Sequence, residues 1–384
     1  MSKAIATTDG EVDTDTVSVT RTIKCFLESS NRKNEKLKEA IDEFQQAVAY
    51  YNAHIPSLPE YQWNRQNSHL YRMGTRDLEF NIRAKLIQNA VNESVAAFKS
   101  WRENGRENKP TGSFGDYVNL TSQGYTIEEN NSGFGFKANL IPYKPEWWHL
   151  NVGSYQREFL DRAINGDASF GSADIFYNDG NPFVNITVSW DVAVYKPNDV
   201  TTAVGVDLGE NVIYAAAVED LQSDDTKAVE LENGAEFRHH RERLSERKDK
   251  LQKQGDLKGV KETRNERRKY TEQVTHRVAK EIVGLAVAHE PAVIRLEDLT
   301  HYRERATNAI HDWPYAEIQE KVCYKATENG IPVEKVDPRY TSQTCSECGH
   351  QDSSNRNGVE FQCENCAYEI HADANAAMNI ARTL

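Results

Sequence analysis

The sequence has no apolar run close to the roughly 20 residues that a membrane-spanning helix needs, so we expect no membrane partner. Its opening stretch, MSKAIATTDGEVDTDTVSV, also lacks the apolar core of an export signal. Cysteine is scarce, with six in 384 residues. Four of these have metal-binding spacing, and Cys25 and Cys323 remain as expected free thiols, which is typical of a reducing compartment. These absences together predict a cytoplasmic protein.

Positive charge is also in deficit, because 46 Lys and Arg face 59 Asp and Glu and leave a formal net charge of −13. Such a chain either avoids phosphates or keeps a local basic strip on a salt-adapted, halophile-like acidic surface. The distribution favours the second interpretation: residues 236–280 hold 15 basic and 8 acidic side chains, a local +7 that leaves −20 for the rest. This strip predicts a phosphate-binding face.

The length of 384 residues predicts about two or three domains, and the first half predicts a β domain interrupted by helices. Residues 1–16 are polar and acidic and are expected to form a disordered tail. Val17 to Leu27 has the alternation of a strand, and short β segments separated by Gly, Asn and Pro resume later. We therefore expect a β domain at 17–28 and 113–198, with an inserted helical module at 29–112.

Three local patterns in this half predict specific elements. Apolar residues three to four apart predict helices over Arg32–Tyr51 and from about Glu79 to Trp101. The segment ADIFYNDGNPFVNITVSWDV predicts a hairpin with NDGN as its turn. Trp147, Trp148, Tyr155 and Tyr143 would either stack on unpaired bases or fill the β core, and the core is the expectation for at least half of them.

The second half predicts an α/β domain. Ala203–Val206 forms a strand that ends at Asp207, and Val212–Val218 returns as a hairpin with Asp207 at its open end. The basic stretch predicts two long exposed helices broken near QGDLKG. A third strand, Ala292–Leu296, ends at Glu297. The expected elements that follow are a helix over Trp313–Glu328 and a strand over IPVEKVD.

Two CxxC pairs lie near the end of the chain. Cys345 and Cys348 form the first pair, and Cys363 and Cys366 form the second. Each pair presents two sulfurs from a tight knuckle, so the two pairs together predict one tetrahedral, structural zinc site.

Three carboxylates are candidates for a second metal site. Asp207 and Glu297 follow apolar strands directly, and Asp373 lies on the predicted last helix. Parallel strands carry functional groups at their carboxyl edge, where three acids would hold two Mg²⁺ or Mn²⁺ ions about 3.5–4 Å apart for phosphodiester hydrolysis. Without cations these buried acids would repel one another and take up protons, so metal binding explains their co-location.

Each feature also has a simpler interpretation. An acid after a strand is commonly a cap or turn residue, and a basic helix is commonly a solvated face. A closed four-cysteine zinc site is commonly a structural staple. The occurrence of all these features together, in this order, favours metal-dependent hydrolysis of nucleic acid.

The motifs resemble those of a known family. GVDLG, RLEDL and HADANAAMNIA are similar to the three RuvC motifs of TnpB (OrfB) proteins, and YTSQTCSECG with FQCENCAYE is similar to their zinc ribbon. These proteins are encoded by insertion sequences and are related to type V CRISPR effectors. The detailed resemblance covers about residues 200–384. One departure is Ala372, where many members carry Arg.

The resemblance implies a fold. It implies a multidomain α+β protein with an N-terminal wedge-like β-barrel that contains the helical recognition module. An RNase H-like (RuvC) α/β domain would follow at 199–384, with a zinc ribbon at about 340–370.

The resemblance also implies site residues. Asp207, Glu297 and Asp373 would be the catalytic triad and Mg or Mn ligands. The four cysteines would bind zinc. Our candidates for contacts to the nucleic-acid backbone are four basic residues, Arg264, Arg267, Arg268 and Lys269.

The leading functional hypothesis is an RNA-guided DNA endonuclease encoded by a transposable element. Its expected partners are a guide RNA from its own element and double-stranded target DNA, with base pairing supplying sequence choice. One alternative is a transposase or an RNase H-type nuclease that acts without a guide. Another is a non-cleaving RNA-guided repressor, which the presence of all three acids disfavours.

Overall fold

The computed structural model describes residues 14–58, 68–79, 81–105, 107–141, 144–196, 199–223, 225–298 and 313–383. The fold is multidomain α+β. It divides into two compact units: the first is Ser18–Asp191, and the second is Val192–Leu384 together with residues 14–17. No helix in the described part of the chain is long and apolar enough to cross a membrane.

The first unit contains a seven-stranded sheet with the order β2-β6-β7-β1-β5-β4-β3. Its strands are β1 Thr14–Glu28, β2 Tyr117–Leu120, β3 Tyr125–Asn130, β4 Gly133–Ile141, β5 Lys144–Asn151, β6 Ser169–Asn178 and β7 Asn181–Tyr195. β1 lies in the middle of this sheet although the helical segment separates it from the other strands in sequence. The expected strand over Val17–Leu27 is confirmed, but it begins at Thr14, so residues 14–16 are strand and not tail. Thr and Val favour extended backbone, which accounts for the longer strand.

Helices occupy the segment between β1 and β2. They are α1 Asn31–His54, α2 Ser68–Asp77 and α3 Ala84–Glu103, and a further helix, α4 Ser154–Ile164, lies between β5 and β6. The two predicted helices are confirmed as α1 and α3, whose apolar stripes are buried, although α3 begins at Ala84 and not at about Glu79. Helix α4 was not predicted, because its buried residues are Phe159 and Leu160, and two adjacent apolar residues form no periodic stripe.

The predicted hairpin is confirmed as β6 and β7, which pair antiparallel up to Asn178 and Asn181. Its two central turn residues, Asp179 and Gly180, have φ values of 51° and 79°. Positive φ at both central residues is characteristic of the two-residue turn whose twist matches that of the two strands it joins. Asp-Gly is a preferred pair at these positions.

The second unit is built on a five-stranded sheet with the order β10-β9-β8-β11-β12. Its strands are β8 Thr202–Leu208, β9 Val212–Asp220, β10 Thr226–Asn233, β11 Ala292–Glu297 and β12 Val333–Val336. β8, β9 and β10 are antiparallel neighbours, and β11 is parallel to both β8 and β12. The expected position of Asp207 at the open end of a hairpin is wrong. It pairs with Ala215 beside the turn that joins β8 to β9, because the carboxyl end of β8 is where the chain reverses.

Helices cover both faces of this sheet. Within the described residues of this unit they are α5 Ala235–Lys253, α6 Leu257–Ala288, α7 Tyr315–Glu328 and α8 Ala372–Arg382. The predicted break at QGDLKG is confirmed, since Asp256 caps α6 by accepting from the Gly259 N–H at 2.9 Å. The predicted helix over Trp313–Glu328 is confirmed as α7, although it begins at Tyr315. Three short strands, β13 Arg356–Asn357, β14 Glu360–Gln362 and β15 Glu369–His371, form a small sheet within the cysteine-bearing segment.

Alternation along β8 decides which helix each residue contacts. Val204 and Val206 join the large core formed with α6 and α7, whereas Ala203 lies on the opposite face with Ala381 of α8. Gly205 also faces α8. A Cβ at Gly205 would lie 2.2 Å from both the Ala377 carbonyl oxygen and the Ala381 amide nitrogen. The absence of a side chain therefore lets the α8 backbone lie directly on β8.

We expect Gly205→Ala to lower the free energy of unfolding by about 3 kcal/mol, because the added methyl meets backbone that cannot rotate away. Gly284→Ala is the matched control, since a Cβ at Gly284 on the exposed side of α6 meets nothing within 4 Å. That control should stabilise the protein by about 0.5 to 1 kcal/mol, because alanine is the better helix former. Urea unfolding midpoints measure both effects. A parent-like midpoint for Gly205→Ala would contradict the close approach.

Candidate functional site

The four predicted cysteines come together in one cluster. Their sulfurs all lie within 4.8 Å of one another. The Cys345 and Cys366 sulfurs are 3.7 Å apart, and those of Cys348 and Cys363 are 3.6 Å apart. A tetrahedron with Zn–S bonds of about 2.3 Å has sulfur–sulfur edges of about 3.8 Å, so the cluster fits a zinc ion.

Backbone hydrogen bonds shape each of the two cysteine knuckles. In the first, the Cys345 N–H donates to the His350 carbonyl at 2.9 Å, and the Gly349 N–H donates to the Cys345 carbonyl at 2.9 Å. The second knuckle repeats the pattern, with the Cys363 N–H donating to Tyr368 and the Ala367 N–H donating to Cys363, each at 2.9 Å. The sulfurs are thus placed by main chain rather than by side-chain packing alone.

Helix α8 is bound to the first knuckle by two asparagines one turn apart. The Asn375 side chain accepts from the Ser346 N–H at 2.9 Å and donates to the Thr344 carbonyl at 2.8 Å. The Asn379 side chain donates to the carbonyls of Thr341 at 2.8 Å and Thr344 at 2.7 Å. The position of α8, and of the residues in its first turn, therefore depends on the knuckle.

The three predicted acids lie at one edge of the second sheet. β8 and β11 are parallel neighbours in which Val206 is level with Leu296, so Asp207 and Glu297 follow side by side. Asp373 reaches the same region from the first turn of α8. Burial raises the pKa of Asp207 to about 8, helped by the negative charges of Glu297 and Asp373. The fold thus brings the three acids within electrostatic range of one another.

Glu297 is oriented by two neighbours. Its carboxylate accepts from the Thr341 hydroxyl at 2.7 Å, and its main-chain carbonyl accepts from the Gln319 side chain at 2.8 Å. Burial raises the pKa of Glu297, while the Thr341 hydrogen bond and the Arg356 charge act in the opposite direction.

Arg356 is a site residue that sequence reasoning missed. Its guanidinium forms an ion pair with Asp373 at 2.8 Å, and its charge offsets part of the rise in the pKa values of Asp207 and Glu297. Among the described residues, the cysteines form the one group of three or more potential ligand side chains whose donor atoms lie within 4.8 Å. The carboxylates are spread more widely than that, with Arg356 among them. Its place in the loop between the two CxxC pairs was the available sequence signal.

Comparison with known proteins identifies relatives of this chain. Residues 315–380 match the family described as Cas12f1-like, TNB domain. The chain is 32% identical over 244 residues to a CRISPR-associated endodeoxyribonuclease Cas12f1 of Sulfoacidibacillus thermotolerans, a match that covers 59% of this chain and 56% of that relative. It is 26% identical over 247 residues to a TnpB-like protein of Methanocaldococcus jannaschii, covering 60% of this chain and 84% of the relative. This chain is related to the TnpB and Cas12f1 proteins.

The fold is shared with a solved structure. A solved Cas12f1–sgRNA–target DNA complex contains a chain similar to this one, with a TM-score of 0.66 and 20% identity, over 91% of this chain and 82% of that one. The sequence match to the Cas12f1 of S. thermotolerans spans only a little more than half of that relative's length. The likeness in sequence is therefore partial even where the architecture is shared.

The basic strip of this TnpB-related protein forms a groove between α5 and α6. Three of the four predicted contact residues, Arg264, Arg267 and Arg268, line a cavity of about 290 Å³ together with Arg241 and Lys248. Lys269 is exposed on α6 and does not line the cavity. Glu317 also lines it, but this carboxylate accepts from Lys321 at 2.5 Å and from Thr275 at 2.9 Å. The groove wall is consequently dominated by positive charge.

The predicted stacking aromatics separate into two groups. Trp148 is fully buried in the first unit, as the core interpretation requires. Trp147 and Tyr155 are 38% and 55% exposed and leave ring surface at the exterior. Tyr143 lies outside the described residues.

We expect the four cysteines to bind a zinc ion and its loss to loosen α8, because Asn375 and Asn379 hold that helix to the first knuckle. Cys363→Ser should reduce bound zinc from one ion per chain and speed amide hydrogen exchange across Ala372–Arg382. Metal analysis and exchange mass spectrometry measure the two effects. Cys323→Ser is the matched control, since Cys323 lies in α7 outside the cluster and should leave both readings unchanged. Unaltered exchange in α8 after zinc loss would show that the knuckle does not position the helix.

Proposed function

We propose that this protein is an RNA-guided DNA endonuclease of a transposable element, which hydrolyses phosphodiester bonds with divalent metal ions. The observation that carries the proposal is the meeting of three carboxylates from β8, β11 and α8 at one sheet edge. The family relationship adds to it, because the relative compared above is named an endodeoxyribonuclease and the similar structure contains guide RNA and target DNA.

The second unit is, in this proposal, an RNase H-like (RuvC) domain at 199–384 with a zinc ribbon at about 340–370. Its sheet combines three antiparallel strands with parallel strands that follow a helical connection. The first unit is a wedge-like β-barrel with a helical recognition module at 29–112. A contact between distant strands of its sheet supports closure: the Tyr125 hydroxyl in β3 donates to the Gly171 carbonyl in β6 at 3.0 Å.

Asp207, Glu297 and Asp373 are the proposed ligands of Mg²⁺ or Mn²⁺, because carboxylate oxygens are the ligands that these hard cations prefer. The raised pKa of Asp207 fits a site in which a cation would relieve repulsion among the acids. Bound ions of this kind activate water and stabilise the leaving oxygen of a phosphodiester. Thr341 holds the Glu297 carboxylate in orientation, and Arg356 supplies a positive charge beside Asp373.

The groove between α5 and α6 is the proposed contact for nucleic-acid backbone, with Arg264, Arg267 and Arg268 as its phosphate-binding residues and Lys269 as an outer contact. Guide RNA and double-stranded DNA are the proposed partners, and base pairing between them supplies sequence choice. The cytoplasmic location and the salt-adapted acidic surface stay predictions.

We expect the purified protein, with its co-purifying RNA and Mg²⁺, to cut a plasmid that carries the matching sequence. Asp207→Asn should reduce the cleavage rate to about one-hundredth or less, since even residues that merely support metal ligands are worth about 10- to 100-fold. Asp225→Asn is the matched control, because Asp225 is an exposed acid between β9 and β10 and should cut at the parent rate. Sequencing of the bound RNA identifies the guide.

The outcomes separate the competing functions. If Asp207→Asn cleaves the plasmid at the parent rate, the assignment of Asp207 to the active site is wrong. Cleavage that continues after the RNA is digested would favour a transposase or an RNase H-type nuclease acting without a guide. RNA-dependent binding of the plasmid without cleavage would favour the repressor.

We expect the affinity for Mn²⁺ to rise about tenfold per pH unit from pH 6 to 8 and to level off above pH 8. Asp207 has a pKa of about 8 in the absence of the cation, so below that pH its proton must leave before the carboxylate can bind. Titration calorimetry with MnCl₂ measures the affinity and counts the released proton when two buffers are compared. Asp207→Asn should bind weakly and without this pH dependence. A flat pH profile in the parent protein would contradict the role of Asp207 as a ligand.

A further inference from the structure

Tyr340 combines two unusual features. Its φ of 67° places a bulky aromatic residue in the left-handed region, which glycine or asparagine adopts at lower free energy. Its side chain is 56% exposed, so burial of the ring does not offset this strain. Strained residues of this kind persist where the surrounding structure fixes them, and they cluster at functional sites.

The surrounding structure does fix Tyr340. Its carbonyl accepts from the N–H groups of Gln343 and Thr344, each at 3.0 Å, and from the Thr344 hydroxyl at 2.9 Å. The next residue, Thr341, donates its hydroxyl to Glu297. The Tyr340 ring therefore lies on a hydrogen-bonded turn, and the next residue of that turn donates a hydrogen bond to one of the three acids.

The ring lines an open cavity of about 490 Å³ in the second unit, a size suited to a small planar group. The charged residues of its wall are paired: Arg339 with Asp337, and Arg382 with Glu219 at 2.8 Å. Thr344 and Asn379 add polar groups. An aromatic face in a wall of paired charges suits an uncharged ring, and it does not suit a free phosphate.

We propose that Tyr340 is a stacking platform for one unpaired base of the DNA strand led to the acids. The proposal rests on the proposed nuclease function and deepens it by naming an aromatic contact next to the site. Stacking is tolerant of sequence, because every base presents a π-face. It is also less sensitive to salt than a phosphate contact, which suits a chain with a net charge of −13.

The test uses the full-length, zinc-loaded chain in an Asp207→Asn background, which keeps the DNA intact. The probe is a single-stranded thymidine oligonucleotide with one central 2-aminopurine, whose fluorescence falls when it stacks. The protein with Tyr340 intact and the Tyr340→Phe variant should both quench the probe and should bind it with similar affinity. Tyr340→Gly and Tyr340→Asn should lose the quenching and bind about tenfold more weakly.

Thermal unfolding distinguishes the ring from the turn. Tyr340→Gly relieves the backbone strain, so its Tm should equal or exceed that of the Tyr340 protein even though binding weakens. Equal quenching by the Tyr, Gly and Asn proteins would overturn the platform. If quenching depends on the Tyr340 ring but the protein with Asp207 intact does not cleave DNA, the proposed nuclease function is wrong and the stacking proposal is still supported.

Discussion

The burial of Asp207 beside Glu297 and Asp373 is the constraint on which the candidate site of the second unit depends. The parallel pairing of β8 with β11 sets two of the acids side by side, and α8 adds the third. The acids cannot separate without breaking the sheet or moving the helix. Burial, together with the negative charges of the other two acids, raises the pKa of Asp207 to about 8, although the charge of Arg356 acts in the opposite direction. Such a site disfavours a further negative charge and favours a positive one.

The cysteine cluster and the acids belong to one connected structure. Asn375 and Asn379 bind the first knuckle and lie on the helix that carries Asp373. The turn before that knuckle holds Glu297 through Thr341. Gly205 completes the connection, because it lets α8 lie against the strand that ends at Asp207. A zinc ion among the cysteines would therefore contribute to the geometry of acids that it does not touch.

Features that depend on neighbours in sequence could be predicted, and features that depend on tertiary contacts could not. The strand ends at Asp207 and Glu297 and the two CxxC pairs follow from short patterns of apolar residues and spacing. β10 was missed because it is an edge strand with mostly exposed side chains, so it lacks a buried alternation. Arg356 and the two asparagines were missed as site residues because their partners lie 17 to 38 positions away in sequence.

Ala372, the residue before Asp373, lies where a positive side chain could not be accommodated. The positive charge beside Asp373 comes from another element. Ala372 is fully buried and packs with Cys345, Phe361 and Cys363, so a long cation at this position would lose its hydration among apolar neighbours. Arg356 instead approaches Asp373 from β13 with a third of its side chain, 33%, still exposed. A guanidinium that reaches the acids from the surface keeps part of its water and carries a smaller desolvation penalty. The positive charge beside Asp373 therefore comes from the loop between the two cysteine pairs and not from position 372.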